Sequence, residues 1–161
     1  MANKLLLVLF ALCFVPSIVS AGYVGESLLV KGSVYCDTCL CGYETDASKY
    51  MAGATVRVEC SNRKTGELTY TSPEATTDPT GQYTIKVESD QRNDYCDVML
   101  VKSSKPECST LSQGRERSRV SLTRNNGMTS NIRFANNMGF LANTPLANCA
   151  QILMKYTEAG V

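Results

Sequence analysis

The residues best suited to chemistry in this sequence are its cysteines, because the sequence contains no histidine. Without an imidazole, neither a Ser-His-Asp nor a Cys-His nucleophilic site can form, and a histidine-ligated zinc centre is excluded. Hydrolysis by a carboxylate pair remains formally open. However, the aspartates and glutamates are spread over turns and outward-facing strand positions, where solvation accounts for them. The composition therefore predicts a protein that is not an enzyme.

Three cysteines lie close together in Cys36-Asp37-Thr38-Cys39-Leu40-Cys41, and they allow three interpretations. A redox dithiol needs its Cys-x-x-Cys between a strand and a helix start, whereas a loop and further strands follow here. A thiolate metal site needs a second closely spaced cysteine pair, which the sequence lacks. In the third interpretation, the cysteines bridge a strand end to distant parts of the chain. We favour this structural role and expect no cofactor and no metal ion.

A second candidate group consists of Arg115, Arg117 and Arg119, which are spaced by two. In an extended segment all three project from one face, where they would suit an acidic wall polysaccharide or an acidic patch on a receptor. Arg124 and Arg133 are expected nearby, across a hairpin turn at Asn125-Asn126-Gly127. The simpler explanation is a solvated sheet edge whose charges discourage strand pairing.

The first 21 residues have the pattern of a secretory signal peptide. Lys4 supplies the positive start, Leu5 to Val15 is an apolar run, and Val19-Ser20-Ala21 supplies the small residues of a cleavage site. The run is too short to cross a bilayer, and no later segment is long and apolar enough. We therefore predict a signal peptide at 1–21, a single domain at 22–161, and secretion to the extracellular space or cell wall.

The predicted mature chain is electrically balanced and rich in cysteine. Without Lys4, 15 basic and 15 acidic residues remain, so no overall field would hold the protein on nucleic acid or an anionic membrane. Seven cysteines remain, which in an oxidising compartment predict a disulfide framework with at least one thiol left over. Their spacing alone does not choose among the possible pairings.

Strand patterns dominate from residue 28 to about 135. Residues 54–60 alternate so that Ala54, Val56, Val58 and Cys60 face inward. Similar runs predict seven strands, of which the last two are Val120 to Thr123 and the segment marked by Ile132 and Phe134. From Thr144 and Pro145 onward, apolar residues recur at helical spacing. The expected fold is all-β, a seven-stranded Greek-key-like β-barrel or sandwich with a short C-terminal helix.

The block Gly32-Ser33-Val34-Tyr35-Cys36-Asp37-Thr38-Cys39 resembles the signature of the Ole e 1-like family of secreted pollen proteins. The resemblance continues in order through Gly53 to Cys60, Gly81 with Tyr83, and Gly139-Phe140, and it covers nearly the whole mature chain. It implies the same barrel with three disulfides, namely Cys36–Cys108, Cys39–Cys149 and Cys60–Cys96. Leu40 stands where the family usually has arginine, so any contact made by that arginine is in doubt.

On this pairing Cys41 is the spare thiol. It would either stay buried as a small apolar residue, which we favour together with a monomeric state, or link two copies into a dimer.

The resemblance also implies a function. It predicts a non-catalytic, extracellular binding protein of the pollen or anther type. Its partner would be an extracellular protein, such as a receptor kinase ectodomain, or a wall component, engaged during pollen hydration, germination and tube growth. The alternatives are a structural protein of the wall matrix and an inhibitor of a secreted hydrolase. The inhibitor would present the loop from Ser103 to Gly114, braced at Cys108.

Overall fold

A computed structural model describes residues 27–158, so the predicted signal peptide and its cleavage site lie outside the described residues. Within this range the chain forms eleven strands and one helix. They are β1 (Leu28–Asp37), β2 (Lys49–Tyr50), β3 (Thr55–Asn62), β4 (Leu68–Thr71), β5 (Ala75–Thr76), β6 (Gln82–Val87), β7 (Asp94–Lys102), β8 (Thr110–Leu111), β9 (Arg117–Val120), β10 (Ile132–Phe134), β11 (Met138–Leu141) and α1 (Cys149–Glu158).

The strands form two sheets. In the first, the order is β10-β1-β11-β8, and β2 and β6 also pair with β1; in the second, the order is β4-β3-β7-β9, and β5 also pairs with β3. The long strand β1 pairs along its first half with β6 and β10 and along its second half with β2 and β11. The sheets do not close on each other. The all-β prediction is confirmed, and the sandwich rather than the barrel is the form observed.

The core lies between the two sheets and follows the predicted alternation. Ala54, Val56, Val58 and Cys60 are fully buried, as are Val30 and Val34 of the facing sheet. Removing this apolar surface from water is the main favourable term in folding. The structure therefore confirms the buried face that the alternation of residues 54–60 predicted.

The predicted hairpin at Asn125-Asn126-Gly127 is wrong. Strand β9 pairs with β7 in the second sheet, whereas β10 pairs in parallel with β1 in the first. Strand β9 covers Arg117–Val120, whereas a strand over Val120 to Thr123 was expected. Its inward-facing residues are Ser118 and Val120. The segment between β9 and β10 thus crosses from one sheet to the other.

Strand β10 buries its charged residue and exposes an aromatic one. Arg133 is buried, whereas Phe134 is 77% exposed. The Arg133 guanidinium donates hydrogen bonds to the carbonyls of Ser121, Thr123, Ser130 and Ile132. A buried charge is tolerated when its donors are satisfied in this way. Arg133 therefore fastens the crossing segment and contributes nothing to a cationic surface.

The C-terminal helix starts later than its sequence pattern predicts. Helix α1 begins at Cys149, whereas Thr144 and Pro145 lie in the irregular segment before it. The Leu146 amide donates to the Thr38 carbonyl, and Cys149 forms a disulfide with Cys39. These two links fix the segment before the helix to the end of β1, so that it does not form a first helical turn.

Two glycines allow tyrosine rings to lie flat across the first sheet. A Cβ on Gly32 would overlap the Tyr83 hydroxyl oxygen on β6, and a Cβ on Gly139 would stand 2.7 Å from the Tyr35 ring. Each glycine faces its tyrosine across neighbouring strands. Tyr83 packs in the core, whereas Tyr35 is not part of it. The Tyr35 ring can occupy its position only because Gly139 has no Cβ.

Candidate functional site

The three disulfides join the sheets, the loops and the helix. The structure contains Cys36–Cys108, Cys39–Cys149 and Cys60–Cys96, the same pairs that the resemblance implies. Cys60–Cys96 links directly opposite residues of β3 and β7, while the other two tie the end of β1 to distant segments. Two of the three cysteines at residues 36–41 therefore form disulfides, namely Cys36 and Cys39.

A fully buried carboxylate organises the loop that follows β1. Asp37 accepts hydrogen bonds from the backbone amides of Cys39 at 3.0 Å and Gly42 at 2.7 Å. The Cys41 thiol donates to the same carboxylate at 3.6 Å and to the Tyr43 carbonyl at 3.3 Å. Leu40, at the position where the family usually has arginine, adopts a φ of 55° in this loop.

Cys41 has no disulfide partner and is partly buried. Burial raises the pKa of its thiol, and the neighbouring carboxylate of Asp37 raises it further. The thiolate is the reactive form of cysteine. At neutral pH the structure therefore keeps Cys41 largely as an unreactive thiol.

This protonation state makes a testable prediction. We expect the rate of Cys41 alkylation by iodoacetamide, measured against pH, to rise at higher pH than for an unstructured cysteine peptide, because the folded protein disfavours the thiolate. The difference should vanish in urea, where the chain is unfolded but bridged, and Cys41→Ser should remain unlabelled. If the alkylation rate of the folded protein rose at the same pH as that of the peptide, the pKa of Cys41 would not be raised by the fold.

The structure separates the three arginines of the predicted strip. Arg117 and Arg119 lie on the exposed side of β9 and share Asp97, with closest contacts of 4.0 and 2.6 Å. Arg115 precedes the strand, and its Nε donates to the Gly42 carbonyl at 3.1 Å. The strip is thus a pair of arginines beside a carboxylate, and the third arginine contacts a different part of the molecule.

An aromatic side chain stands among the arginines of the second sheet. The guanidinium groups of Arg63 and Arg119 lie 4.9 and 4.6 Å from the centre of the Tyr95 ring, and Tyr95 is half exposed. A shallow depression of about 180 Å³ adjoins this ring. We call Arg63, Tyr95, Asp97, Arg117 and Arg119 the tyrosine–arginine face. No local pattern in the sequence marks Tyr95, since its neighbours come from β3, β7 and β9 or the turns beside them.

Arg115 instead belongs to a groove of about 530 Å³ outside the first sheet. Five separate segments of the chain form it. We call it the Tyr35 groove; it is lined by Tyr35, Tyr43, Glu44, Arg115, Asn136, Asn137 and Tyr156. No spacing pattern could have revealed it, although the placement of Tyr35 in the signature block was a hint.

The loop from Ser103 to Gly114 is held against the body of the protein. Cys108 is buried and bridged, the Ser103 hydroxyl donates to its carbonyl, and β8 within the loop pairs with β11. Inhibitors that block a protease insert a rigid, protruding loop. This loop is rigid, but it lies along the sheet.

Two further observations concern the described residues alone. Within residues 27–158, no group of three or more histidine, cysteine, aspartate or glutamate side chains is placed to hold a metal ion. In the same range no helix has the length and apolar character needed to cross a membrane. The fold and its surfaces therefore define a small, disulfide-bridged β-sandwich domain with exposed clusters of arginine and tyrosine.

Comparison with known proteins identifies the family. The family model "Pollen protein Ole e 1 like" matches residues 26–157. An Olee1-like protein of Betula pendula is 40% identical over 95% of this chain and 93% of its own, and Protein DOWNSTREAM OF FLC of Arabidopsis thaliana is 37% identical over 99% and 97%. The crystal structure of the major plantain pollen allergen Pla l 1 superposes with a TM-score of 0.68 at 31% identity, covering 77% of this chain and 100% of that chain.

The chain therefore belongs to the Ole e 1-like pollen protein family, and the resemblance predicted from its sequence is confirmed. Some of its relatives are named as pollen allergens, among them Cro s 1 of Crocus sativus and Che a 1 of Chenopodium album, and these names refer to no catalytic activity. That membership and the three bridges are consistent with a secreted, non-catalytic protein.

Proposed function

We propose that this protein is a non-catalytic, extracellular binding protein of pollen or anther. It engages the ectodomain of a cell-surface protein, such as a receptor kinase, during hydration, germination and tube growth. The tyrosine–arginine face is its contact surface. The observation that supports the proposal is the half-exposed ring of Tyr95, with the guanidinium groups of Arg63 and Arg119 4.9 and 4.6 Å from its centre.

Tyrosine and arginine dominate the energetics of protein interfaces because each offers a large contact area together with hydrogen bonding. Tyr95 is ordered before any partner arrives, since Arg63 and Arg119 stack on it and Arg119 is fixed by two hydrogen bonds to Asp97. Binding would therefore cost little side-chain entropy at this position.

The side chains around Tyr95 carry charges of both signs, which favours a partner with charges of its own. Asp97 faces Glu59 on β3 and Arg119 on β9, and Arg57 pairs with Glu59 at 2.6 Å. The Arg117 guanidinium is more than half exposed and lies only at the limit of contact with Asp97. An acidic group of the partner would complete its pairing, and arginine is well suited to that geometry.

The binding role is favoured over the two alternatives on physical grounds. A protease inhibitor requires a protruding loop, whereas residues 103–114 lie along the sheet. A matrix protein that packs into the wall needs no preorganised aromatic and arginine cluster.

The test compares two tyrosines of equal exposure. The bridged mature protein, Tyr95→Ala and Tyr50→Ala are titrated by biolayer interferometry against purified ectodomains of pollen receptor kinases. We expect Tyr95→Ala to weaken binding by at least about tenfold, as for a central interface aromatic. Tyr50, on β2 of the other sheet, should be replaceable without effect.

Charge reversal supplies a second readout. Arg117→Glu should weaken the same interaction and reduce its dependence on salt concentration, because a charge pair with the partner is replaced by a repulsion. Equal losses in Tyr95→Ala and Tyr50→Ala, or full affinity in Arg117→Glu, would remove the tyrosine–arginine face as the contact surface.

A further inference from the structure

The Tyr35 groove lies apart from the tyrosine–arginine face and has the polar groups of a ligand site. Its most buried lining residue is Tyr35, of which only 1% is exposed. Within residues 27–158, the Tyr35 hydroxyl has no hydrogen-bond partner. The hydroxyl is not one of the fully buried, unpaired polar atoms of the described residues, so it is accessible to solvent from the groove. Burial raises the pKa of Tyr35 to about 12 despite the nearby charge of Arg115, so the hydroxyl is a donor at any physiological pH.

Arg115 contributes a positive charge to the groove, and part of its guanidinium makes no hydrogen bond to the described residues. Its Nε is occupied by the Gly42 carbonyl, which fixes the guanidinium plane. In the part of the chain that the structure describes, its two outer nitrogens have no partner, and the carboxylate of Glu44, in the same groove, is not within ion-pair distance. A guanidinium oriented in this way presents the fork that binds a carboxylate.

The lining of the groove also contains a carboxylate and two side-chain amides. Glu44 accepts hydrogen bonds from the Tyr50 hydroxyl at 2.6 Å and from the Asn137 amide at 2.7 Å, which fix its carboxylate and leave acceptor positions open. The side-chain amide of Asn136 is exposed and, among the described residues, unpaired. The groove thus offers both donors and acceptors, with a single positive and a single negative side chain in its lining.

Two aromatic rings form one wall. Tyr43 and Tyr156 meet edge to face with their centres 5.7 Å apart. The Tyr156 hydroxyl is anchored by the amide and carboxylate of Asp46, whose charge is offset by Lys155. The rings are therefore held in place and can pack against a flat, partly apolar ligand face.

We propose that the Tyr35 groove binds a uronic acid unit of an acidic polysaccharide. A uronate carries a carboxylate for Arg115 and, on the same ring, hydroxyl groups that donate to Glu44 and accept from Asn136 and Tyr35. A carboxylate on a peptide side chain would satisfy Arg115 but would bring no hydroxyl to Glu44. The carbon face of the sugar ring packs against Tyr43 and Tyr156.

The experiment titrates trigalacturonate into the ¹⁵N-labelled, bridged mature protein and follows amide and guanidinium signals. We expect saturable shifts at Arg115 Nε and at the side-chain amides of Asn136 and Asn137. Fully methyl-esterified trigalacturonate should bind at least about tenfold more weakly, because the charge-assisted pair with Arg115 is lost. A capped triglutamate peptide should be similarly weak.

Matched variants separate the groove from general charge effects. Arg115→Gln should lower trigalacturonate affinity by about tenfold or more, while Arg117→Gln, an exposed arginine nearby in sequence, should not change it. Asn136→Ala removes an amide that no described contact uses, so it should fold normally and bind a few-fold more weakly.

Several outcomes would overturn the proposal. These are equal losses in Arg115→Gln and Arg117→Gln, equal binding of the ester or of the peptide, and absence of shifts at millimolar trigalacturonate. Tyr95→Ala should bind trigalacturonate like the unmodified protein. The groove and the proposed receptor contact therefore succeed or fail separately.

Discussion

Replacing Cys39 and Cys149 together by alanine is expected to lower the free energy of unfolding by about 4–5 kcal/mol. This bridge spans 110 residues, the longest separation of the three, so its loss releases the most chain entropy in the unfolded state. It also fastens helix α1 to the end of β1. Against the total stability of about 5–15 kcal/mol typical of a domain, such a loss is large.

The measurement is urea unfolding of the protein in a Cys41→Ser background, so that no free thiol exchanges with the remaining bridges. The matched variant replaces Cys60 and Cys96, which are separated by only 36 residues. The chain-entropy model predicts that their loss costs about 1 kcal/mol less, apart from the cavity left in the core. A loss below about 1 kcal/mol on removing Cys39–Cys149 would show that this bridge does not constrain the unfolded chain.

Gly81→Ala should destabilise the fold by about 3 kcal/mol or more. Gly81 has a φ of +79°, a conformation that costs an alanine roughly 1–2 kcal/mol. The added Cβ would also stand 2.7 Å from the Cβ of Tyr50, 2.9 Å from the Met51 amide nitrogen and 3.0 Å from the Val34 carbonyl oxygen. Two of these atoms are backbone atoms, one within β1 and one directly after β2, and they cannot rotate away.

A second glycine isolates the cost of the steric overlap. Gly114 has a φ of +78°, and a Cβ there would meet no atom within 4 Å. Gly114→Ala should therefore cost only the conformational part, about 1–2 kcal/mol. Both variants are compared by thermal and urea unfolding. Equal losses in the two would mean that the turn at Gly81 yields and that its packing against β2 contributes little.

Local patterns predicted those parts of the fold that depend on neighbouring residues. The alternation at Ala54 to Cys60 identified the buried face of β3, because successive side chains of a strand point to opposite sides. The same logic does not apply at β10, where Arg133 is the buried residue and Phe134 is exposed. There the unpaired carbonyls of Ser121 and Thr123 attract the Arg133 guanidinium, and hydrogen bonding outweighs the hydrophobic preference of a three-residue strand.

The Asn125-Asn126-Gly127 turn failed for a related reason. Its residues suit a tight turn, and Gly127 does adopt a φ of +79°. A turn signal does not say which strands it joins, however. The strand edges available to β10 lay on β1, whose long-range pairing no local pattern reports.

The sequence by itself determined the all-β class, the inward faces of the longer strands and the absence of histidine chemistry, since these follow from composition and short-range periodicity. It also carried the motifs that identify the family. Only the tertiary structure decided that Arg115 separates from Arg117 and Arg119 and that Tyr35, Glu44, Asn136 and Tyr156 meet in one groove. Such surfaces are built from segments far apart in the chain, and their proximity is set by how the two sheets pack.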